Sequence, residues 1–457
     1  MRSSHRMRNG WLAVVGLALA APVVAGAQAR AADRADAAPV IVPVAVDSLT
    51  AMYDVGGVRV IHRRNTANDV VAANVYLLGG VRQTTAANAG IEPFLLQVSE
   101  HGTRDFDRDR IRGILNRAGS ALLVSASADW TVFGLRAIRT AFDSTWAVLA
   151  NRLMFPRLDS ASVELVRRQY LLGLNQRADS PDALVEFMAD SFAFAGHPYA
   201  RPPTGTVASI ANITRSDLRA YQRDQIVKSR LLVVIVGNVD RPTVERAIEG
   251  TLAALPAGDY TWSLPDPLPR HGSGFVIESR ALPTNYILGY YAGPPAGSPD
   301  YPALRVATAV LSGQLFGEIR SRRNLTYAVD APFVERAIAA GGLYVTTTAP
   351  DTVIALMRQQ VFILKQGLIN ADALERLIAQ FITEYYLDNE TNADQANMLT
   401  RAFLYHGDPA AADRFVDDLR RVTPEDIQRV TRRYVQDVRF GYVGNPEDLS
   451  PRTRRGF

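Results

Sequence analysis

Apolar and polar positions alternate with period two in several short stretches of this chain. In longer stretches they recur every three to four residues, so the pattern predicts both strands and helices. Residues 56–62 read as a turn leading into an alternating strand, and residues 70–80, VVAANVYLLGG, as a second strand. Residues 86–101 and 106–118 suit helices, and residues 121–127 and 131–137 alternate as a hairpin around Asp129-Trp130. Helical periodicity follows at 140–153, 160–178, 183–195 and 214–226, then an apolar strand at 231–237 and a helix at 241–254. Residues 257–272 carry Pro265, Pro267, Pro269 and Gly272 and read as a linker. The order of elements then repeats. Strands are predicted at 274–278 and 286–291, a helix at 301–319, and strands at 325–334 and 342–348. Helices follow at 352–366, 371–388, 393–406 and 410–421.

Local signals support a duplication. Thr214 and Asp217 form a capping-box pattern, and Thr423 and Asp426 repeat it 209 residues later with Pro424 at the first helical position. Ile235-Val236-Gly237-Asn238 returns as Tyr442-Val443-Gly444-Asn445. A shared cap, helix, apolar strand and Val-Gly-Asn exit is the signature of an internal repeat. The expected fold is α+β, with two homologous domains at residues 45–256 and 273–457, each a mostly antiparallel sheet backed by helices.

Composition adds an address. Arg2, Arg6 and Arg8 precede an apolar run at residues 11–21, and Ala27-Gln28-Ala29 and Ala25-Gly26-Ala27 both suit signal-peptide cleavage. Residues 1–29 therefore read as a signal peptide and residues 30–44 as a flexible leader, which places the mature chain in the periplasm. The signal carries three arginines and no acidic residue, so its removal takes the formal charge from +4 to +1. Nucleic-acid binding loses its electrostatic support. No other stretch is apolar enough for stable membrane insertion. There is no cysteine, which excludes disulfides, thiol nucleophiles and Cys-ligated metals. G-x-S-x-G, Walker A and G-x-G-x-x-G motifs are also absent.

Residues 90–103 read GIEPFLLQVSEHGT. With residues 79–82, residues 197–205 (HPYARPPTG) and residues 316–329 (FGEIRSRRNLTYAV), this stretch resembles the pitrilysin/insulinase family of zinc peptidases, in its mitochondrial processing peptidase-like branch. In active relatives this helix carries His-x-x-Glu-His, in which two His bind zinc and the Glu polarises the attacking water. Ungapped alignment puts Pro93, Leu96 and Gln97 at those positions. Pro ligates nothing, and Leu activates no water. Residues 171–176, LLGLNQ, hold no acid where the family has its distal Glu. The resemblance thus implies a subunit with no metal of its own. A second alignment takes Gln97-Val98-Ser99-Glu100-His101 as the motif with its first His changed, at the cost of a four-residue insertion and an equal deletion. Otherwise Glu100 and His101 close a helix before Gly102.

Arg320 and Tyr327 stand seven apart, the spacing of the family's substrate-positioning Arg and Tyr. As sequence alone, Arg320, Arg322 and Arg323 are helix-end cations before an Asn cap. The resemblance instead implies that Arg320 and Tyr327 hold a scissile carbonyl opposite a zinc carried by a homologous partner chain. The family's Gly/Ser-rich stretch before this helix is about three residues short at residues 311–315. His197 is implied to be structural. The substrate would be a peptide or unfolded polypeptide. The alternative is a peptide-binding or scaffold subunit with no role in chemistry.

Overall fold

The computed structural model describes residues 44–45, 49–455 and 457. The expected signal peptide, residues 1–29, and residues 30–43 of the leader lie outside them. Two mixed sheets backed by helices form an α+β chain. The first contains β1 (Val44–Ala45), β2 (Thr50–Val55), β3 (Val58–Arg64), β4 (Val70–Leu78), β5 (Ala121–Ala126), β6 (Trp130–Ile138) and β7 (Leu231–Gly237), in the order β1-β2-β3-β7-β4-β6-β5. The second contains β8 (Gly274–Ser279), β9 (Asn285–Pro295), β10 (Val329–Asp330), β11 (Phe333–Val334), β12 (Ile338–Thr347) and β13 (Arg439–Gly444). Its order is β10-β12-β9-β13-β8, with β11 also on β12. Only β3–β7 and β8–β13 are parallel, so both sheets are mostly antiparallel. The path β3-β7-β4-β6-β5 is repeated as β8-β13-β9-β12-β10, which is the duplication expressed as topology.

The capping boxes form as the sequence predicts. Thr214 and Asp217 open the helix Arg215–Gln225, and Thr423 and Asp426 open Pro424–Tyr434, each with side chain and backbone bonded reciprocally. Three of the boundaries that shift bear on the candidate site. The helix expected over 86–101 begins only at Ile91, because Gly90 takes φ 83° and breaks the entry. The helix expected over 301–319 runs over Asp300–Leu315 and then widens into a π-turn at Phe316–Ser321. The strand expected over 325–334 reduces to β10 and β11, split around Pro332, which has no N–H for the ladder.

The core crosses the halves. The helix Pro181–Ala193 comes from the first half, yet its Val185 and Ala189 pack with Leu288, Tyr290 and Val443 of the second sheet. Reciprocally, Ala396, Leu399 and Tyr405 of the helix Asn392–His406 pack with Tyr76, Val132 and Val234 of the first sheet. Asp129, 2 % exposed, accepts bonds from the Tyr199 and Tyr405 hydroxyls and the Ala337 N–H. The Arg336 guanidinium donates to both Asp190 oxygens at 2.9 Å. The linker is a strap across this seam: Arg82 donates to the Ser263 carbonyl and Trp262 to the Leu404 carbonyl, both at 2.8 Å. Among the described residues, no helix is long and apolar enough to cross a membrane.

Candidate functional site

The helix Ile91–Val98 is the first group of candidate residues. Its start demands glycine, since a Cβ on Gly90 would lie 2.6 Å from the Thr204 carbonyl oxygen. Glu92, the one acid on this helix, is 3 % exposed and bonded to Arg230 at 2.7 Å. The Tyr221 hydroxyl also donates to Glu92 at 2.8 Å. Burial, and after it the Glu92 charge, pushes Tyr221 well above the ordinary tyrosine range. Arg230 completes the network by donating twice to the Leu78 carbonyl. Leu96 lies in the core under the first sheet, and its carbonyl accepts from Arg152, which burial pushes down to about 10.

These residues do not fit zinc. Pro93 and Leu96 are buried and have no donor, Gln97 faces solvent, and Glu92 is consumed by Arg230. The stretch at 171–176 forms part of the helix Ser160–Asp179 and offers no acid, with Leu174 in the core. Among the described residues, no group of three or more His, Asp or Glu could hold a metal ion. The second alignment gains nothing from the geometry. The helix tightens into a 3₁₀ turn at Ser99–His101, and Glu100 is exposed. Partial burial, then the Arg108 charge, lowers the His101 pKa below the usual histidine range. Both residues close the helix before Gly102 at φ 145°.

Arg320 and Tyr327 form the second group, and the structure brings them together. The helix Asp300–Leu315 is anchored in the second core by Leu304, Leu311 and Leu315. The stretch at 311–315 is helical, with no Gly/Ser loop before the π-turn. Ile319, fully buried, pins the turn. Asn324 takes φ 52°, and the Asn324 and Leu325 N–H groups bond back to the Arg320 and Ile319 carbonyls at 3.0 Å. The chain reverses here and sets Tyr327 beside Arg320. The Arg320 guanidinium carbon lies 5.0 Å from the Tyr327 ring centroid and 5.1 Å from that of Phe316. Arg322 and Arg323 both pair with Glu318. Among the described residues, Arg320 pairs with no carboxylate. Tyr327 is 68 % exposed and Phe316 45 %.

Sequence reasoning missed Phe316. The available signal was its position four residues before Arg320, one helical turn on the same face. The two groups belong to different halves, and no hydrogen bond or ion pair joins Arg320 to the helix Ile91–Val98. His197 uses both ring nitrogens, Nδ1 accepting from the Tyr199 N–H and Nε2 facing the Asp266 carbonyl.

The repeated α+β half is a peptidase-like scaffold. Family profiles agree. The profile for insulinase, peptidase family M16, matches residues 59–207, and that for the peptidase M16 inactive domain matches residues 212–381. The chain belongs to peptidase family M16. It is 23 % identical over 413 residues to an uncharacterized zinc protease of Mycobacterium tuberculosis, covering 84 % of this chain and 90 % of that protein. It is 24 % identical over 402 residues to the mitochondrial-processing peptidase subunit beta of Blastocladiella emersonii, covering 83 % and 85 %. The fold is similar to a peptidase M16 inactive domain from Pseudomonas fluorescens, with TM-score 0.78, 18 % identity and coverage of 87 % of this chain and 98 % of that one. It is also similar to the periplasmic protease PqqL from Escherichia coli, with TM-score 0.74, 16 % identity and coverage of 93 % and 49 %.

Proposed function

We propose that this chain is the zinc-free subunit of an exported, periplasmic, heterodimeric zinc peptidase. It forms half of a chamber for a peptide or unfolded polypeptide. A homologous partner chain carries the metal, which supplies the activated water. The role of this chain is to present Arg320 and Tyr327 to the substrate. A guanidinium and a phenol both donate hydrogen bonds, and such donors hold a scissile carbonyl and stabilise the oxyanion that forms on it. One observation carries the reading. Arg320 lies against an exposed Tyr327 and, among the described residues, pairs with no carboxylate, while its neighbours Arg322 and Arg323 share Glu318. Simple helix-end cations would not need that distinction. Family membership and the similarity to a processing-peptidase subunit support a paired peptidase.

The test is reconstitution. Purified alone, the chain should hold no stoichiometric zinc and cleave no peptide. Addition of a homologous chain bearing His-x-x-Glu-His should produce activity. Stoichiometric zinc in the single chain overturns the proposal.

A further inference from the structure

The π-turn at Phe316–Ser321 and the two residues after it carry Glu318 among Arg320, Arg322 and Arg323. The Arg322 N–H bonds to the Gly317 carbonyl at 3.1 Å, five residues back, which closes the wide turn. Side chains four apart share a face, and side chains two apart do not. Phe316 and Arg320 therefore lie on one side, and Glu318 and Arg322 on the other. The contacts follow this division. The Arg320 guanidinium lies against the Phe316 and Tyr327 rings, and Arg322 donates to Glu318 Oε2 at 2.7 Å.

Arg323 departs from the helical pattern. It follows Arg320 by three residues and Phe316 by seven, and helical spacing returns such residues to one face. On that spacing it belongs beside Arg320. Its guanidinium donates instead to Glu318 Oε1. Each carboxylate oxygen of Glu318 is thus bonded to a different arginine. The Glu318 side chain is 11 % exposed, against 76 % for Arg322 and 43 % for Arg323. Ion pairs of such exposed arginines add little stability. A shared carboxylate does fix where two guanidiniums point. The direction matters for charge. With Arg323 beside Arg320, two repelling cations would address one carbonyl, and either could take its oxygen. With Arg323 drawn away, one guanidinium and one phenol present a single arrangement of donors. Stabilising an oxyanion depends on donors fixed in place before charge develops.

We propose that Glu318 is a positioning residue of the substrate site. It holds Arg322 and Arg323 off the face shared by Phe316 and Tyr327 and leaves that face to Arg320. The inference rests on the role proposed above for Arg320 and Tyr327. The test is steady-state kinetics of the reconstituted complex on an internally quenched peptide. Glu318→Gln keeps the shape of the side chain and removes its charge, and it should lower kcat about tenfold. Adding Arg322→Gln and Arg323→Gln to that variant should restore kcat to within about twofold of the unaltered complex. A merely structural Glu318 gives no such rescue, because removing two further polar groups does not repair a fold. Unchanged kcat in Glu318→Gln overturns the inference, and so does a loss that the two arginine substitutions leave in place. If Glu318→Gln alone fails to fold, the triple variant is compared with the chain carrying only Arg322→Gln and Arg323→Gln. Equal kcat then supports the inference, and a lower kcat in the triple variant overturns it. Arg320→Ala in the same assay separates the two proposals. Unchanged turnover there overturns the role of Arg320 and this inference with it. Lowered turnover there, with no effect of Glu318→Gln, overturns this inference alone.

Discussion

The Arg320 guanidinium carbon lies 5.0 Å from the ring centroid of Tyr327, across a chain reversal whose corner is Asn324 in the left-handed region. Seven residues along the chain become direct neighbours, and both side chains reach solvent.

In the reconstituted complex, Tyr327→Phe and Arg320→Ala should each lower kcat by ~10²-fold, the scale of losing one oxyanion donor. Phe316→Leu keeps both donors and removes one of the two ring contacts to Arg320. A cation–π contact at an exposed site is worth roughly 0.5–1 kcal/mol, so this variant should cost only about two- to fivefold. Steady-state kinetics on the three variants give the ranking. Equal turnover in all of them would leave Arg320 as an ordinary helix-end cation.

Writing the metal motif back should not restore a metal site. The triple variant Pro93→His, Leu96→Glu, Gln97→His still lacks an acid at 171–176, and it buries a charge where Leu96 packs. The expected result is substoichiometric zinc by metal analysis, with a lowered melting temperature. One zinc per chain would show that the surrounding scaffold had stayed competent.

The Glu92–Arg230 pair is buried on both sides, at 3 % and 1 % side-chain exposure. Removing one partner strands the other charge. Arg230→Ala should therefore destabilise the chain by about 3–5 kcal/mol, read from denaturant unfolding. Replacing both by Met and Leu should be far milder. A harmless Arg230→Ala would mean that water reaches Glu92.

Burial, and then the Arg414 charge, pushes His406 down to about 4. The unfolded chain takes up a proton near pH 6.5 that the folded chain refuses. Stability should then fall as pH drops from about 6.5 toward 4. His62, His101 and His197 shift in the same direction, also chiefly through burial. Urea midpoints measured across this window should decline, and His406→Gln should reduce the slope. An unchanged slope would place the pH dependence on other groups.

The elements that sequence reasoning placed well are governed by neighbours along the chain. The capping boxes at Thr214 and Thr423 need only the residue three positions on. The hairpin around Asp129-Trp130 forms as β5 and β6 because its alternation and turn are local. The misplaced boundaries have local physics that periodicity ignores. Gly90 breaks a helix through its own φ, and Pro332 divides a strand by lacking an N–H. The π-turn at Phe316–Ser321 could not be read, because an apolar helical pattern looks the same when one turn widens.

The sequence alone determined which side chains stand at the aligned positions of this helix, because side-chain chemistry is a property of residue type. Pro93, Leu96 and Gln97 cannot become His, Glu and His in any fold. It also determined the duplication, since each copy carries its own cap and strand. Tertiary structure decided everything that depends on partners distant in sequence. It set Arg320 against both Phe316 and Tyr327, exchanged the helices Pro181–Ala193 and Asn392–His406 between the sheets, and, among the described residues, left β8 without the strand that covers β3. Such pairings follow from which surfaces bury each other and which backbone groups find partners, and no pattern along one stretch contains that information.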